Sequence, residues 1–258
     1  MLPILELGPW QISTYLVTAT LSLLVAGMWA FHRLLTLDHP PGIIVQGFAL
    51  TVLGGLAGAL LIPYLINAVR VARSPVPVRS EGLSIIWALG SCMTVAVAYC
   101  RWRHISLGRA LDLAVLPMPL GQAIGRLGCF AAGCCYGRPT DSWLGMYLPD
   151  HDGVWLVRYP TQLLSAAANL FIFFVLLTVE RRGIRRVGKD RGWPFDGFLI
   201  LLYLALFSLK RFAVAFLRES GAVPLLGPLS WMHVNALLGL AVSGTLICWN
   251  LVKKERRQ

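Results

Sequence analysis

Seven long runs of apolar residues alternate with short polar segments along the chain. A helix needs roughly 20 apolar residues to cross the ~30 Å hydrocarbon core of a bilayer. Runs of this length occur near residues 12–31, 43–67, 82–100, 110–134, 160–179, 196–217 and 229–252. The pattern predicts an all-α integral membrane protein of about seven transmembrane helices, with residues 1–258 forming a single membrane domain.

Polar or helix-breaking residues interrupt two of the predicted spans. Span four contains Pro117 and Pro119 together with several glycines, and span six contains Lys210 and Arg211. Such interruptions are tolerated in a membrane where neighbouring helices or a water-filled cavity satisfy the freed backbone groups. We therefore expect both spans to face the interior of the protein.

Composition agrees with a membrane protein, because 57% of the residues are hydrophobic and 14% are charged. The 23 Lys and Arg residues outnumber the 12 Asp and Glu residues. Much of this excess lies in loops and at the C-terminus beside apolar runs, where it sets topology and contacts anionic lipid. We therefore expect no nucleic-acid partner. The N-terminus lacks a basic segment before its first apolar run, so we also expect no cleavable signal peptide.

Basic loops orient the spans, because Lys and Arg accumulate on the cytoplasmic side of a membrane. The loop between spans five and six is strongly basic, and so is the C-terminal tail. With seven spans, this places the N-terminus outside, the C-terminus in the cytoplasm and residues 137–159 in an outer loop. Three arginines between spans two and three oppose this orientation: Arg70, Arg73 and Arg79.

Arg126 lies deep in the fourth apolar run, where Asp112 is the only charged residue before it. An arginine in the bilayer centre costs about 2.5–3.5 kcal/mol on insertion scales and usually faces a polar cavity. The predicted topology puts Arg138, Arg211 and Arg218 in the same outer half of the membrane. Because Arg pairs with phosphate through two parallel hydrogen bonds, we expect these arginines to converge on an anionic headgroup.

Arg211 and Arg218 are separated by about two helical turns, so we expect them to share a helix face. Arg218 taken alone also fits a snorkelling anchor at the end of a helix. Five glycines surround Arg126: Gly121, Gly125, Gly128, Gly133 and Gly137. The pairs Gly121/Gly125 and Gly133/Gly137 have the GxxxG spacing that lets helices approach closely.

The six cysteines lack the spacing of a zinc site, and we expect neither a metal nor a cofactor. Three of them stand singly in apolar spans and read as core residues: Cys92, Cys100 and Cys248. The other three, Cys129, Cys134 and Cys135, belong to the stretch around Arg126. Three interpretations of this group stay open: a nucleophilic thiolate among arginines, a structural disulfide, or small packing residues.

The stretch from Gly125 to Arg138, GRLGCFAAGCCYGR, resembles a known signature. In the bacterial prolipoprotein diacylglyceryl transferases, this motif reads approximately Gly-Arg-Leu-Gly-Asn-Phe-x-Asn-Gly-Glu-x-x-Gly. Further matching segments are Asp112 with Pro117, EGLS at 81–84, YPTQL at 159–163, Arg211 with Phe212, and Arg218 with Glu219. The likeness covers almost the whole chain and includes the seven-span topology.

The resemblance implies an enzyme of the bacterial inner (plasma) membrane that performs the first step of lipoprotein maturation. Family members transfer diacylglyceryl from phosphatidylglycerol to the thiol of a lipobox cysteine and release glycerol-1-phosphate at the outer face. Phosphatidylglycerol, the prolipoprotein signal peptide and membrane lipid would be its partners. Arg126 and Arg211 would stabilise the departing phosphate. The residues expected to bind phosphatidylglycerol are Arg126, Arg138, Arg211, Arg218, Gly125, Gly128 and Gly137.

Several positions depart from the family pattern. Cys129, Ala132 and Cys134 replace the two asparagines and the glutamate of the signature. The family's His-Gly-Gly in span three is Ile85-Ile86-Trp87, so its general-base candidate is missing. Three further substitutions are Tyr159 for a histidine, Phe207 for a tyrosine and Ala215 for an acid.

Candidates for the missing chemistry are few. His233, near the outer end of span seven, and His151, in the outer loop, are the histidines on the expected side of the membrane. We favour His233 as the base, and an interfacial role for it stays open. Cys134 is the candidate nucleophile.

The altered positions leave two alternatives to lipoprotein maturation. In one, the same lipid donor serves another acceptor, such as a hydroxyl or an amine. In the other, the chain is an inactive lipid-binding scaffold in the membrane. The retention of Arg126 and Arg211 argues against a scaffold, because a scaffold does not need charge inside the bilayer.

Overall fold

The computed structural model describes residues 4–7, 10–73, 83–150, 153–188, 192–218, 224–226 and 229–256. Five residues used in the sequence interpretation lie outside these ranges: Arg79, Glu81, Gly82, His151 and Glu219.

Helices form most of the described chain. They are α1 (Thr14–Leu34), α2 (Pro41–Arg73), α3 (Leu83–Trp102), α4 (Leu107–Val115), α5 (Met118–Ala131), α6 (Thr161–Val187), α7 (Phe198–Ala215) and α8 (Trp231–Glu255). The strands form antiparallel two-stranded hairpins: β1 (Ile4–Leu7) with β2 (Trp10–Ser13), β3 (Met146–Pro149) with β4 (Trp155–Arg158), and β5 (Pro224–Leu226) with β6 (Leu229–Ser230).

Six helical segments in the described residues are long and apolar enough to cross a membrane, counting α4 and α5 together. This confirms the prediction of an all-α, multi-pass integral membrane protein. Helix α3 occupies the third predicted span, and the number seven and the orientation of the termini stay predictions. Helix α6 continues past the predicted end of its span, so Arg185 and Arg186 form its last turn instead of a loop. Cations are favourable there because the C-terminal end of a helix is negative.

The chain divides into two compact units, Met1–Ala30 with Leu111–Gln258, and Phe31–Ala110. The prediction of one domain over 1–258 stays a prediction. In the second unit, α2 and α3 pack closely because glycines of α2 face α3. A Cβ atom placed on Gly54 would lie 2.7 Å from Cγ2 of Val95, and Tyr99 donates from its hydroxyl to the carbonyl of Ile43 at 2.8 Å.

The core of the first unit lies between α4, α6 and α7. Its buried members are Val115, Leu116, Ile172, Phe173, Leu176, Leu199 and Tyr203. Pro117 lies between α4 and α5, where it lacks the N–H that would continue the hydrogen-bonded backbone of α4, and Pro119 lies in the first turn of α5, where no N–H is required. The prediction that span four is interrupted is confirmed.

Asp112 explains how a carboxylate is accommodated in this core. Its side chain is 1% exposed and accepts hydrogen bonds from the backbone N–H groups of Gly197 at 2.7 Å and Ile200 at 3.0 Å. These groups belong to the N-terminal turn of α7, which carries partial positive charge. Asp112 therefore fixes the start of the helix that bears Lys210 and Arg211.

Helix α1 packs against the glycine face of α5. A Cβ atom on Gly121 would lie 2.8 Å from Cβ of Ala26, and Gly128 faces Thr18 in the same way. Ser22 adds a hydrogen bond from its hydroxyl to the carbonyl of Gly121. The close helix approach predicted for Gly121 and Gly125 is thus confirmed, since both lie on this face.

The second GxxxG pair does not form a helix face. Helix α5 ends at Ala131, and Gly133 lies beyond it with a φ of 73°. Gly137 follows in an extended segment that leads to β3. The structure therefore corrects the interpretation of Gly133 and Gly137 as a helix-packing pair: Gly133 ends the helix, because only glycine adopts a left-handed backbone without steric cost.

Candidate active site

A cavity of about 40 Å³ lies between the ends of α5, α6, α7 and α8. Four cationic side chains line it: Arg126 from α5, Lys210 and Arg211 from α7, and Arg218 just after α7. Arg126, Lys210 and Arg218 are half-buried, whereas Arg211 is more exposed. Like charges gathered at this depth repel one another, so the arrangement is matched to an anionic ligand.

Lys210 is the cation that sequence reasoning left unused. Its Nζ donates to Oδ1 of Asn169 at 2.7 Å and lies 4.2 Å from the ring centroid of Phe207. Asn169 has no exposed surface. Its position beside Arg211 inside an apolar span could have predicted Lys210 as a site residue. The resemblance to the family motif pointed to Arg211 alone.

Arg218 reaches the cavity by a route that the sequence did not predict. Helix α7 ends at Ala215, so Arg211 and Arg218 do not share one helix face as expected. Instead, Arg218 forms an antiparallel bridge with Gly137, and the N–H of Arg138 donates to the carbonyl of Leu217 at 2.9 Å. The segment after α5 thereby holds Arg218 in place.

Gly137 permits this pairing because it has no side chain. A Cβ atom there would lie 2.5 Å from the carbonyl oxygen of Tyr159 and 2.7 Å from that of Leu217. Both contacts are with backbone, which cannot move aside cheaply. Gly137 therefore joins the start of α6 to the end of α7, without itself lining the cavity.

The three clustered cysteines are brought together by the way α5 ends. The N–H of Cys134 bonds the carbonyl of Cys129 at 3.0 Å, and the N–H of Gly133 bonds that of Phe130 at 3.2 Å. This pair of bonds is the Schellman motif, which folds the residue after the turn back onto the last helical turn. The sulfur atoms of Cys129, Cys134 and Cys135 all lie within 4.8 Å of one another.

All six cysteines are free thiols, so the disulfide considered for this group is not formed in the structure. Cys135, rather than Cys134, lines the cavity. The guanidinium of Arg218 donates to Sγ of Cys135 at 3.2 Å. Hydrogen bonds from the thiols of Cys129 and Cys134, with the charges of Arg218 and Arg126, lower the pKa of the Cys135 thiol against the opposing effect of burial.

Two buried side chains at the start of α6 hold the cysteine pair. Thr161 donates from its hydroxyl to the carbonyl of Cys135 at 2.7 Å, and Gln162 donates from Nε2 to the carbonyl of Cys134 at 2.8 Å. Thr161 is 2% exposed and Gln162 is 0% exposed. In the sequence, YPTQL was notable only for its resemblance to the family. The structure shows that its Thr-Gln pair holds the backbone of the two adjacent cysteines.

Other residues predicted for the site lie outside the cavity. Arg138 is exposed and engages its neighbours through its backbone. Gly125 and Gly128 face α1, with Ser22 and Thr18 as their nearest neighbours. The structure thus brings Arg126, Arg211 and Arg218 together around the cavity. Arg138, Gly125 and Gly128 lie outside it.

His233 lies at the start of α8, buried and 2% exposed. Its Nδ1 is 3.0 Å from both the backbone N and the hydroxyl of Ser230, which caps the helix. Its ring packs against Phe216 at 4.2 Å and Phe212 at 5.4 Å between centroids. His233 therefore caps the start of α8 together with Ser230. The neighbouring Met232 lines the cavity, and His233 does not.

The chain is similar to known proteins along most of its length. The family model for prolipoprotein diacylglyceryl transferase matches residues 3–249. A phosphatidylglycerol–prolipoprotein diacylglyceryl transferase from Rhodospirillum rubrum is 31% identical over 231 residues, covering 85% of this chain and 80% of its own. Similarly named proteins from a Nostoc species and from Clostridium perfringens are 26% and 29% identical, covering 98% and 81% of this chain and 90% and 78% of their own lengths.

Proposed function

Because the chain belongs to the prolipoprotein diacylglyceryl transferase family, we propose that it transfers diacylglyceryl from phosphatidylglycerol to the thiol of a lipobox cysteine. The relatives described above carry both substrates in their names. The enzyme is a multi-pass protein of the bacterial inner membrane in this proposal, with its cavity open to the outer leaflet. A prolipoprotein signal peptide and phosphatidylglycerol are then its partners.

The cavity with its four cations is the observation that carries the proposal. Phosphatidylglycerol has one negatively charged phosphodiester, and the guanidinium groups of Arg126, Arg211 and Arg218 supply paired donors for its oxygens. Lys210 adds a point charge held by Asn169. These groups are in position before the substrate arrives, which is the preorganisation that favours a charged transition state.

The reaction asks the protein to stabilise a departing phosphate. The acceptor thiol releases its proton to water, its sulfur attacks the glyceryl carbon that bears the phosphate, a C–S bond forms and the C–O bond breaks. The bonding electrons leave with the oxygen of glycerol phosphate, whose charge rises as the bond breaks. The cations around that oxygen lower the energy of this step more than that of the bound lipid, because the charge grows only in the transition state.

The direct test is an assay of both products. Purified full-length protein is incubated with phosphatidylglycerol labelled in its headgroup glycerol and with a lipobox peptide. We expect equal amounts of labelled glycerol phosphate and diacylglyceryl-peptide. A peptide in which serine replaces the lipobox cysteine provides the control and should yield neither product.

The same assay separates the proposal from its two rivals. Glycerol phosphate without lipidated peptide would mean that the donor is right and the acceptor is another molecule. Neither product, together with saturable binding of phosphatidylglycerol, would contradict the enzyme and favour a lipid-binding scaffold.

A further inference from the structure

The three thiols at the end of α5 are not explained by the phosphate site. A contact between the residues at positions 129 and 134 is the ordinary contact of a Schellman motif, and any small apolar pair would make it. Cys135 is different, because its backbone has a φ of 61°, a region that residues other than glycine, asparagine and aspartate seldom occupy. A hydrogen bond from the buried side chain of Thr161 to its carbonyl holds it there. The fold thus places a third sulfur against the other two in an unfavourable backbone conformation.

The spacing of the sulfur atoms suits a metal ion that prefers sulfur. In a tetrahedral zinc site with Zn–S bonds of about 2.3 Å, the sulfurs are about 3.8 Å apart. The sulfur atoms here lie within 4.8 Å of one another, so movements of roughly 1 Å complete the set. The sequence spacing predicted no zinc site because the ligands come from one helix end and the turn after it, a pattern that differs from paired CxxC motifs.

Charge balance also favours a cation. Three thiolates around Zn²⁺ leave a net charge of about −1, and the guanidinium of Arg218 already donates to Sγ of Cys135 at 3.2 Å. A cationic hydrogen-bond donor next to a ligand sulfur is the kind of outer contact that stabilises a metal centre. The positive surroundings that disfavour a bare cation therefore match the anionic complex of zinc with three thiolates.

Three protein ligands leave one coordination position open, which is the arrangement of catalytic rather than structural zinc. Cys135 is both a member of the trio and a lining residue of the phosphate cavity. An external thiol bound at the open position would therefore meet the lipid beside the cations. A thiol loses its proton when it binds such an ion, so no separate base is needed.

We propose that Cys129, Cys134 and Cys135 bind one Zn²⁺ ion, and that this ion holds the lipobox cysteine as a thiolate for attack on phosphatidylglycerol. This inference rests on the proposed function and supplies its acceptor site. The peptide thiol releases its proton to water on binding zinc. Its sulfur then forms the C–S bond while the C–O bond to phosphate breaks, and zinc keeps its oxidation state throughout.

The first experiment measures metal binding without reference to activity. Full-length protein in detergent is reduced, stripped with a chelator and titrated with Co²⁺, which gives an intense thiolate charge-transfer band in the near ultraviolet. We expect one ion per chain, displaced by Zn²⁺, and loss of the band in C129S, C134S and C135S. The matched control is C248S, which replaces an exposed thiol on α8 and should bind Co²⁺ like the parent. Absence of the band in the parent, or its survival in C135S, would overturn the proposal.

The second experiment counts the sulfurs around zinc by X-ray absorption spectroscopy. We expect three sulfur ligands in the protein alone and four after addition of the lipobox peptide. The peptide with serine in place of cysteine should leave the number at three. An unchanged count with the cysteine peptide would overturn the acceptor role.

Activity of the chelated protein distinguishes failure of the zinc site from failure of the proposed function. We expect chelation to abolish peptide lipidation and Zn²⁺ to restore it. Full lipidation by chelated protein would overturn the zinc site and leave the transferase standing. If zinc-loaded protein binds the peptide through a fourth sulfur yet forms no lipidated product, the transferase itself is wrong.

Discussion

Lys210 donates a hydrogen bond of 2.7 Å to Asn169, a side chain with no exposed surface on the neighbouring helix α6. The bond fixes a flexible ammonium group at the wall of a cavity that three arginines also line. A half-buried cation of this kind inside a membrane-length apolar helix indicates function, because lipid gives it no stabilisation.

Replacing this ammonium tests whether it acts on the phosphate. Charge-assisted hydrogen bonds contribute about 1.5–3 kcal/mol, so Lys210→Met should lower kcat/KM for phosphatidylglycerol about 10- to 100-fold. Lys210→Arg keeps the charge and should retain more activity than Lys210→Met. Lys253→Met removes an exposed lysine near the end of α8 and provides the control. Equal activities of Lys210→Met and Lys253→Met would show that the fourth cation has no part in turnover.

Arg126 and Arg211 should contribute more than Lys210, because a guanidinium binds two phosphate oxygens at once. Arg126→Ala and Arg211→Ala should each lower turnover by more than about 100-fold while the helical circular dichroism stays unchanged. Arg182→Ala, an exposed residue near the far end of α6, should behave like the parent. Full activity in Arg126→Ala would be incompatible with the phosphate-site model.

Gly137 should be required for the fold around the cavity. Alanine would place Cβ 2.5 Å and 2.7 Å from two backbone carbonyl oxygens, so the ends of α6 and α7 must separate. Overpacking of this sort costs roughly 1–3 kcal/mol, and Gly137→Ala should unfold at a lower temperature and lose activity. Gly90→Ala is the matched control, because a Cβ on Gly90 meets nothing within 4 Å. Equal unfolding temperatures for the two variants would show that Gly137 is not required for close packing at this point.

The sequence predicts the helices well because membrane-length apolar runs have few alternatives in lipid. It predicts their ends less well, as α6 shows: its basic last turns look like a loop but continue the helix to Val187. The segment 137–159 contains the hairpin β3–β4, which the sequence pattern did not predict. Its strands are four residues each and carry no long alternation, so their pairing is fixed by contacts such as the ion pair of Arg158 with Asp150 at 2.9 Å.

The candidate site could be predicted from the sequence only in part, because some of its residues are positioned by tertiary contacts. Arg126 and Arg211 stand out because charge inside an apolar run is expensive wherever the chain folds. The position of Arg218 depends on its bridge to Gly137, and the meeting of the three thiols depends on the left-handed backbone at Gly133 and Cys135. Such tertiary geometry leaves little trace in residue spacing.

The hydroxyl of Thr161 offers a test of how strongly the cysteine turn is held. In Thr161→Val the carbonyl of Cys135 loses its 2.7 Å partner in a partly buried setting, which costs about 1 kcal/mol or more. Because that turn also carries a lining residue of the cavity, the variant should lose both stability and turnover. Thermal unfolding and the two-product assay measure these effects together.

The matched control for this prediction is Thr178→Val on the same helix. Thr178 is exposed and donates only to the carbonyl of Phe174 in its own helix, so its removal leaves the cavity unchanged. Both variants remove one hydroxyl and keep a β-branched side chain, so helix propensity is matched between them. A larger loss of turnover in Thr161→Val than in Thr178→Val means that the bond to Cys135 positions the turn, whereas equal losses would reduce Thr161 to an ordinary helix residue.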